Sequence, residues 1–291
     1  MQNAIKVRGL RKVYEDKKNG AKVAVDGIDL NVETGEIFAI LGPNGAGKTT
    51  TVEILEGYRD RDAGEVSVLG FDPGDLKGQD RTWRNQIGIV LQSTSDAEDL
   101  TVAETVSHFA HYYSNPKDSE EVIAAVGLTD KTNARIRTLS GGQRRRLDVA
   151  LGIVGGPKIL FLDEPTTGFD PEARRTFWEL IKTLQIEGTT ILLTTHYLDE
   201  AEALANRVAV INNGRILEVA TPANLGGRMN AKARVAWMAN GRREEIFTDS
   251  PTREVALLAK NFDGEIPELV VSRPSLEEIY LTMIGDQEVS A

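Results

Sequence analysis

The sequence predicts an α/β fold with a mostly parallel sheet, on three observations. Short, mostly apolar runs at residues 37–41, 159–162 and 190–194 have the length of strands buried on both faces. Helical patterns accompany them, including one at about residues 171–186 between the last two runs, as a parallel sheet with crossover connections requires. The first run leads through a glycine-rich turn into a helix at about residues 48–57, the order strand, glycine loop, helix.

Composition bounds the answer. At 291 residues the chain has room for one large domain or two ordinary ones and ample length to bury a core. Hydrophobic residues at 41% together with 27 glycines are ordinary for a globular chain, which argues against extended disorder. The absence of cysteine removes disulfides, thiolate nucleophiles, iron–sulfur clusters and cysteine-based zinc sites, and suits a reducing compartment. The net charge of −10, from 34 basic and 44 acidic residues, makes the chain a poor general binder of nucleic-acid backbone. No apolar run approaches the roughly 18 residues of a membrane-spanning helix. The first ten residues carry Lys6 and Arg8 and lack the apolar core of a secretory signal. The chain therefore reads as soluble and cytoplasmic, with another chain supplying the membrane part of any membrane process.

Residues 1–35 read as β-rich segments at 5–10, 23–25 and 28–32, punctuated by Gly20, Gly27 and Gly35. Residues 16–22 look like a lengthened loop. Short strands follow at 65–69 and 87–91. From about 93 to 155 the pattern turns helical, as an insertion between two sheet strands. Thr101 and Glu104 form a capping box opening a helix through about residue 113, and further helices fall at 119–126 and 143–153. Residues 221–230, rich in Pro, Gly and Asn, read as a linker. Beyond it, strands at 233–238 and 245–248 could pair through Asn240-Gly241, with helices at 251–260 and 275–284 and a short segment 269–271 between them. The expected division is a first domain at 1–220 and an α+β accessory domain at 221–291.

Gly42-Pro43-Asn44-Gly45-Ala46-Gly47-Lys48-Thr49 fits the G-x-x-x-x-G-K-[ST] phosphate loop. Its glycines let the backbone curl so that successive N–H groups point inward, and the following helix adds its positive end. Lys48 supplies a charge for the β- and γ-phosphates, Thr49 a hydroxyl for Mg²⁺, and Thr50 a phosphate hydrogen bond. Residues 158–164 form an apolar strand ending in Asp163 and Glu164, where open α/β sheets bind ligands. Asp163 suits a hard cation, and Glu164 can polarise an attacking water. Leu139-Ser140-Gly141-Gly142-Gln143 opens a helix and makes a second anion-binding terminus. His108 and His111, three apart on a helix, read as a packed or solvated pair rather than metal ligands, and the run Arg144-Arg145-Arg146 as a solvated face with local salt bridges.

In this order and spacing, a Walker A loop at residues 42–50, a signature at 139–143 and a Walker B strand at 159–163 followed by Glu164 resemble the ATP-binding cassette ATPase of ABC transporters. The resemblance covers about residues 4–220. It implies an N-terminal antiparallel β portion, a phosphate-loop α/β core with the helical subdomain inserted at about 93–155, and a small C-terminal α+β appendage. It implies ATP and Mg²⁺. Tyr14 matches the aromatic residue that stacks on adenine. Gln92, which follows strand 87–91, matches the glutamine that senses Mg²⁺ and the attacking water. Asp170 in Gly168-Phe169-Asp170-Pro171 matches the aspartate that links two active sites, with phenylalanine where the family commonly has leucine. His196 matches the histidine that contacts the γ-phosphate.

The family arrangement implies a head-to-tail dimer with a second copy or a paralogous cassette, and a separate transmembrane permease that holds the chain on the inner face of the membrane. The tail from Pro274 to Leu281 resembles that of bacterial two-component exporters of drugs, antibiotics, lipids or polysaccharides, and the apolar stripe of residues 275–284 (Leu276, Ile279, Tyr280, Met283) implies dimer contacts by that resemblance. A mechanical ATPase acting on nucleic acid is the alternative that acidic charge and the lack of a coiled coil count against. A regulatory cassette of a non-transporting membrane complex is the other.

Overall fold

A computed structural model describes residues 2–16, 20–90, 99–239 and 241–288, in two compact units, Met1–Val219 and Ala220–Ala291. The first unit begins β1 (Asn3–Asp16), β2 (Gly20–Glu33), β3 (Ile37–Leu41), α1 (Lys48–Leu55), β4 (Ala63–Val68), α2 (Asp80–Arg84), β5 (Ile87–Val90). It continues α3 (Val102–Ala110), α4 (Ser119–Ala125), α5 (Gly141–Ile153), β6 (Ile159–Asp163), α6 (Pro171–Ile186), β7 (Thr190–Thr195), α7 (Leu198–Leu204), β8 (Arg207–Asn212), β9 (Arg215–Ala220).

Two sheets sandwich α1. The larger has the order β5-β6-β7-β3-β8-β9, and the pairs from β5 through β8 are parallel. Every residue of β3, β6 and β7 is buried, which is why these runs are apolar without alternation. Because β6, β7 and β3 are parallel neighbours, the residues that follow them, near positions 42, 164 and 196, emerge at one edge of the sheet. The smaller sheet, β2-β1-β4, is antiparallel and presents Ile5, Val7, Leu30, Val32 and Val66 to Val52 and Leu55 of α1. At about 25 cal/mol per Å² of apolar area removed from water, this shared core is the main force joining the two sheets.

The helical insertion is α3, α4 and α5, between β5 and β6. The capping box opening α3 is present: Thr101 N–H donates to Glu104 Oε2 at 2.8 Å, and Glu104 N–H to Thr101 Oγ1 at 3.2 Å. Three local expectations are corrected. Of the lengthened loop expected at 16–22, residues 20–22 belong to a strand instead, because pairing continues to Asp16 opposite Gly20 and sets Tyr14 against Lys22, while residues 17–19 lie outside the described residues. Residues 207–220 carry no predicted element, yet they form β8 and β9, joined by Asn213-Gly214 at φ 48° and 75°, the left-handed pair of a type I′ hairpin turn. The basic run on α5 is not solvated throughout, because Arg145 is 7% exposed.

The second unit contains β10 (Ala233–Ala239), β11 (Arg242–Thr248), α8 (Pro251–Leu258), β12 (Val270–Ser272) and α9 (Leu276–Glu288). Its antiparallel sheet has the order β11-β10-β12, with Ala239 opposite Arg242. Of the turn pair expected there, Gly241 has φ 73° and Asn240 lies outside the described residues. Part of the expected linker is structured: Leu225–Asn230 forms 3-10 turns, Leu225 is buried, and Gly226 abuts Ile279 of α9. Among the described residues no helix is long and apolar enough to cross a membrane.

Candidate functional site

The loop after β3 wraps the start of α1. Gly47, just before the helix, has φ 103°, and a Cβ there would collide with the carbonyl oxygen of Ala24, so both conformation and space demand glycine. Lys48 is 4% exposed, and its ammonium donates to the carbonyls of Gly42 at 2.9 Å and Pro43 at 3.2 Å. These bonds hold a buried cation above the loop, at the positive end of α1.

β6 ends at Asp163, whose carboxylate accepts hydrogen bonds from the hydroxyls of Thr194 and, at 3.3 Å, Thr49. Glu164 then turns into the left-handed region at φ 43°, an uncommon conformation for a non-glycine residue and one that costs of order 1–3 kcal/mol. Its N–H donates to Thr194, to Oγ1 at 3.1 Å and to the carbonyl at 3.2 Å. The turn aims its carboxylate at the loop. Glu164 Oε1 lies 3.5 Å from Lys48 Nζ and 3.3 Å from His196 Nδ1, the latter off hydrogen-bond alignment. Three residues separated by up to 148 positions (196 − 48) thus meet at one carboxylate oxygen.

The adjoining cleft of about 410 Å³ is lined by Tyr14, Asn44, Gly45, Lys48, Thr49, Thr50 and Glu164, among others. Tyr14 brings its hydroxyl within 3.3 Å of Thr50 Oγ1. Ala46 is buried, and its N–H donates to Pro43 O at 3.2 Å, a bond that tightens the turn. Behind His196, its ring and that of Tyr197 are 4.1 Å apart, and the guanidinium of Arg174 on α6 lies 4.6 Å from the Tyr197 centroid.

A second cleft, of about 530 Å³, gathers Ser140, Gly141, Gly142, Gln143 and Asp170. Ser140 and Gln143 form a reciprocal capping box: Ser140 N–H donates to Gln143 Oε1 at 3.0 Å and Gln143 N–H to Ser140 Oγ at 3.3 Å. Asp170 caps α6, accepting from Ala173 N–H at 2.8 Å. Phe169 packs edge-to-face on Phe177, at 5.8 Å between centroids, which gives its ring an apolar seat.

The predicted residues thus form two groups. Tyr14, the phosphate loop, Asp163, Glu164 and His196 gather at the first cleft, and the signature and Asp170 at the second. Gln92 lies outside the described residues. His108 and His111 have separate partners, with His108 Nε2 3.1 Å from the Tyr112 hydroxyl and His111 Nδ1 2.6 Å from the Ser107 carbonyl.

Sequence reasoning missed the supporting groups. Thr194 ties Asp163 to the Glu164 turn, as above. Arg145 donates to the carbonyls of Asp163 at 2.9 Å and Pro165 at 3.0 Å, and its burial pulls the guanidinium below its usual range. Glu200 is fully buried, and burial raises its carboxyl, whose Oε1 accepts from Trp178 Nε1–H at 3.4 Å. Only Thr194, as the threonine just before Thr195-His196, had a sequence signal.

Glu56, 6% exposed at the end of α1, was also missed. Burial pushes its carboxyl up to about 8, and the charges of Asp163 and Glu53 add to the rise. A folded value above the unfolded one means stability that is full below about 4.5 and lost as pH rises through about 8. Between about pH 6 and 9 the melting temperature of the unaltered chain is therefore expected to fall more than that of Glu56→Gln. The difference corresponds to a few kcal/mol, and parallel melts of the two proteins measure it.

Residues 25–167 match the ABC transporter family. The daunorubicin/doxorubicin resistance ATP-binding protein DrrA of Streptomyces peucetius is 44% identical over 76% of this chain, which spans 66% of that protein. DrrA2 of Streptomyces coeruleorubidus, a daunorubicin resistance ATP-binding protein, is 35% identical over 93% of both chains. The Nod factor export ATP-binding protein I of Ralstonia nicotianae is 40% identical over 76% of this chain and 68% of its own length. Among solved structures, the dimeric structure of MJ0796, a bacterial ABC transporter cassette, superposes with a TM-score of 0.68 at 26% identity, covering 75% of this chain and 98% of that one. The chain belongs to the ABC transporter family, as its ATP-binding and ATP-hydrolysing cassette.

Proposed function

We propose that this cassette powers export of a drug-like, antibiotic, lipid or polysaccharide compound through a separate membrane permease. The observation that carries this reading is the match to DrrA2 over 93% of both chains, which is too long to be confined to the first unit. In this reading residues 221–291 form an accessory domain, and the chain works in the cytoplasm at the inner face of the membrane.

Two copies, or one copy and a paralogous cassette, are proposed to close head to tail. The phosphate loop of one and the Ser140–Gln143 helix start of the other then grip the same triphosphate, whose charge offsets two positive helix ends. The dimeric cassette MJ0796 also has a post-hydrolysis structure with ADP and Pi bound, at a TM-score of 0.67 and 25% identity, and that pair of states supports the reading. Tyr14 stacks on the adenine, Lys48 holds the β- and γ-phosphates, and Thr50 bonds a phosphate oxygen. Asp170 connects the two sites.

Thr49 and Asp163 present hard oxygen donors side by side, a set that fits Mg²⁺ completed by phosphate and water oxygens. Bound there, Mg²⁺ would neutralise charge on the transferring phosphoryl group. Gln92 joins this group in the reading. Glu164 accepts the proton of the attacking water, and His196 donates to the γ-phosphate. Loss of the γ-phosphate removes the bridge, and the dimer opens against the permease.

The test is co-purification with a polytopic membrane protein encoded beside it, followed by ATPase assays of the complex. Stimulation by a transported amphiphile and not by nucleic acid supports the reading. Nucleic-acid stimulation with no permease bound overturns it.

A further inference from the structure

Tyr14 is held from outside the phosphate loop. Gly57, at φ 69°, turns the chain back after α1, and the N–H groups of Tyr58 and Arg59 both donate to the Glu53 carbonyl, at 2.9 and 3.1 Å. That reversal lays Arg59 along the helix. Its Nε donates to Glu53 Oε2 at 2.6 Å, and its guanidinium lies over the Tyr14 ring, 5.2 Å from the centroid. Glu53 and Thr50 are three residues apart, hence on one face of α1, and Thr50 meets the Tyr14 hydroxyl at 3.3 Å. Lys12 also approaches the ring, at 5.9 Å, but its ammonium is committed to Asp62 at 2.8 Å.

We infer that Arg59, clamped by Glu53, is a positioning residue that fixes the Tyr14 ring as a base-stacking platform and so sets affinity for the nucleoside half of the triphosphate. The inference rests on the proposed stacking of adenine on Tyr14. A guanidinium over one face and a hydroxyl contact at the ring's far end restrict both side-chain torsions. The base then meets a ring already ordered, and binding loses less freedom. The cation also polarises the ring. Arg59 itself touches Glu53 and the Tyr14 ring, whereas Thr50 is met by the Tyr14 hydroxyl alone, so loss of the guanidinium falls on the base before the phosphates.

The experiment compares the full-length chain with Arg59→Ala, Arg59→Lys, Glu53→Gln and Tyr14→Ala, measuring ATP affinity, kcat, inhibition by inorganic tripolyphosphate, and melting temperature as a fold control. Arg59→Ala is expected to raise the ATP dissociation constant and KM about three- to tenfold, the range of a half-exposed cation–π contact. It is expected to leave kcat and the tripolyphosphate inhibition constant within about twofold. Arg59→Lys recovers part of the loss, and Glu53→Gln shares it. If Tyr14→Ala weakens ATP binding and Arg59→Ala does not, the inference fails while the stacking reading stands. If Tyr14→Ala binds ATP normally, the stacking reading fails and takes the inference with it. An equal loss of ATP and tripolyphosphate in folded Arg59→Ala also overturns the inference.

Discussion

Glu164→Gln is expected to keep ATP binding and to lose at least about 100-fold in turnover, the lower end of what a positioned general base contributes. The amide keeps the size and shape of the side chain. It removes the acceptor for a proton at the one oxygen placed 3.5 Å from Lys48 and 3.3 Å from His196. The left-handed turn at φ 43° is held by backbone bonds to Thr194, which the substitution does not touch. The loss therefore reports chemistry rather than misfolding. Steady-state phosphate release and nucleotide titration on the same preparation separate turnover from binding, and turnover within about tenfold of the unaltered chain would remove Glu164 from the proposed role.

Lys48→Ala is expected to weaken ATP binding by tenfold or more, because each charge-assisted bond to phosphate contributes about 1.5–3 kcal/mol. The structure makes this a loss of binding and not of the loop. Lys48 is buried with its ammonium on the Gly42 and Pro43 carbonyls, while the glycine geometry and the bond from Ala46 N–H to Pro43 shape the turn without it. Titration with a fluorescent ATP analogue checks it, with the melting temperature as control. Equal affinity in the two proteins would reject the phosphate-holding role.

Much of this site was legible in the chain because its parts are contiguous. A loop proposed to curl around phosphate needs glycines at fixed spacing and a lysine to meet the charge, and residues Gly42 to Thr49 carry both in consecutive positions. Asp163-Glu164 and Thr195-His196 each end an apolar strand, so their edge of the sheet followed once the strands were recognised. The supporting contacts were not legible. Arg145 read as one of three solvated arginines because nothing in Arg144-Arg145-Arg146 reveals which of them turns inward, toward carbonyls 18 and 20 residues away. Glu56 and Glu200 gave no signal because burial is set by tertiary packing. Arg59 gave no signal, since its meaning depends on a strand 45 residues earlier (59 − 14). The hairpin at 207–220 was legible in principle, as Asn213-Gly214 between apolar runs is a strong turn signature. Within the loop expected at 16–22, residues 20–22 form a strand because strand pairing overrode local polarity.

The central claim is that a nucleotide joins two copies of the chain through the two clefts. Multi-angle light scattering of Glu164→Gln with saturating ATP and Mg²⁺ measures this directly. The account predicts a species of twice the 31.8 kDa monomer mass with ATP and a monomer with ADP. Strictly monomeric protein with ATP demonstrably bound, even in the presence of the permease, would contradict it.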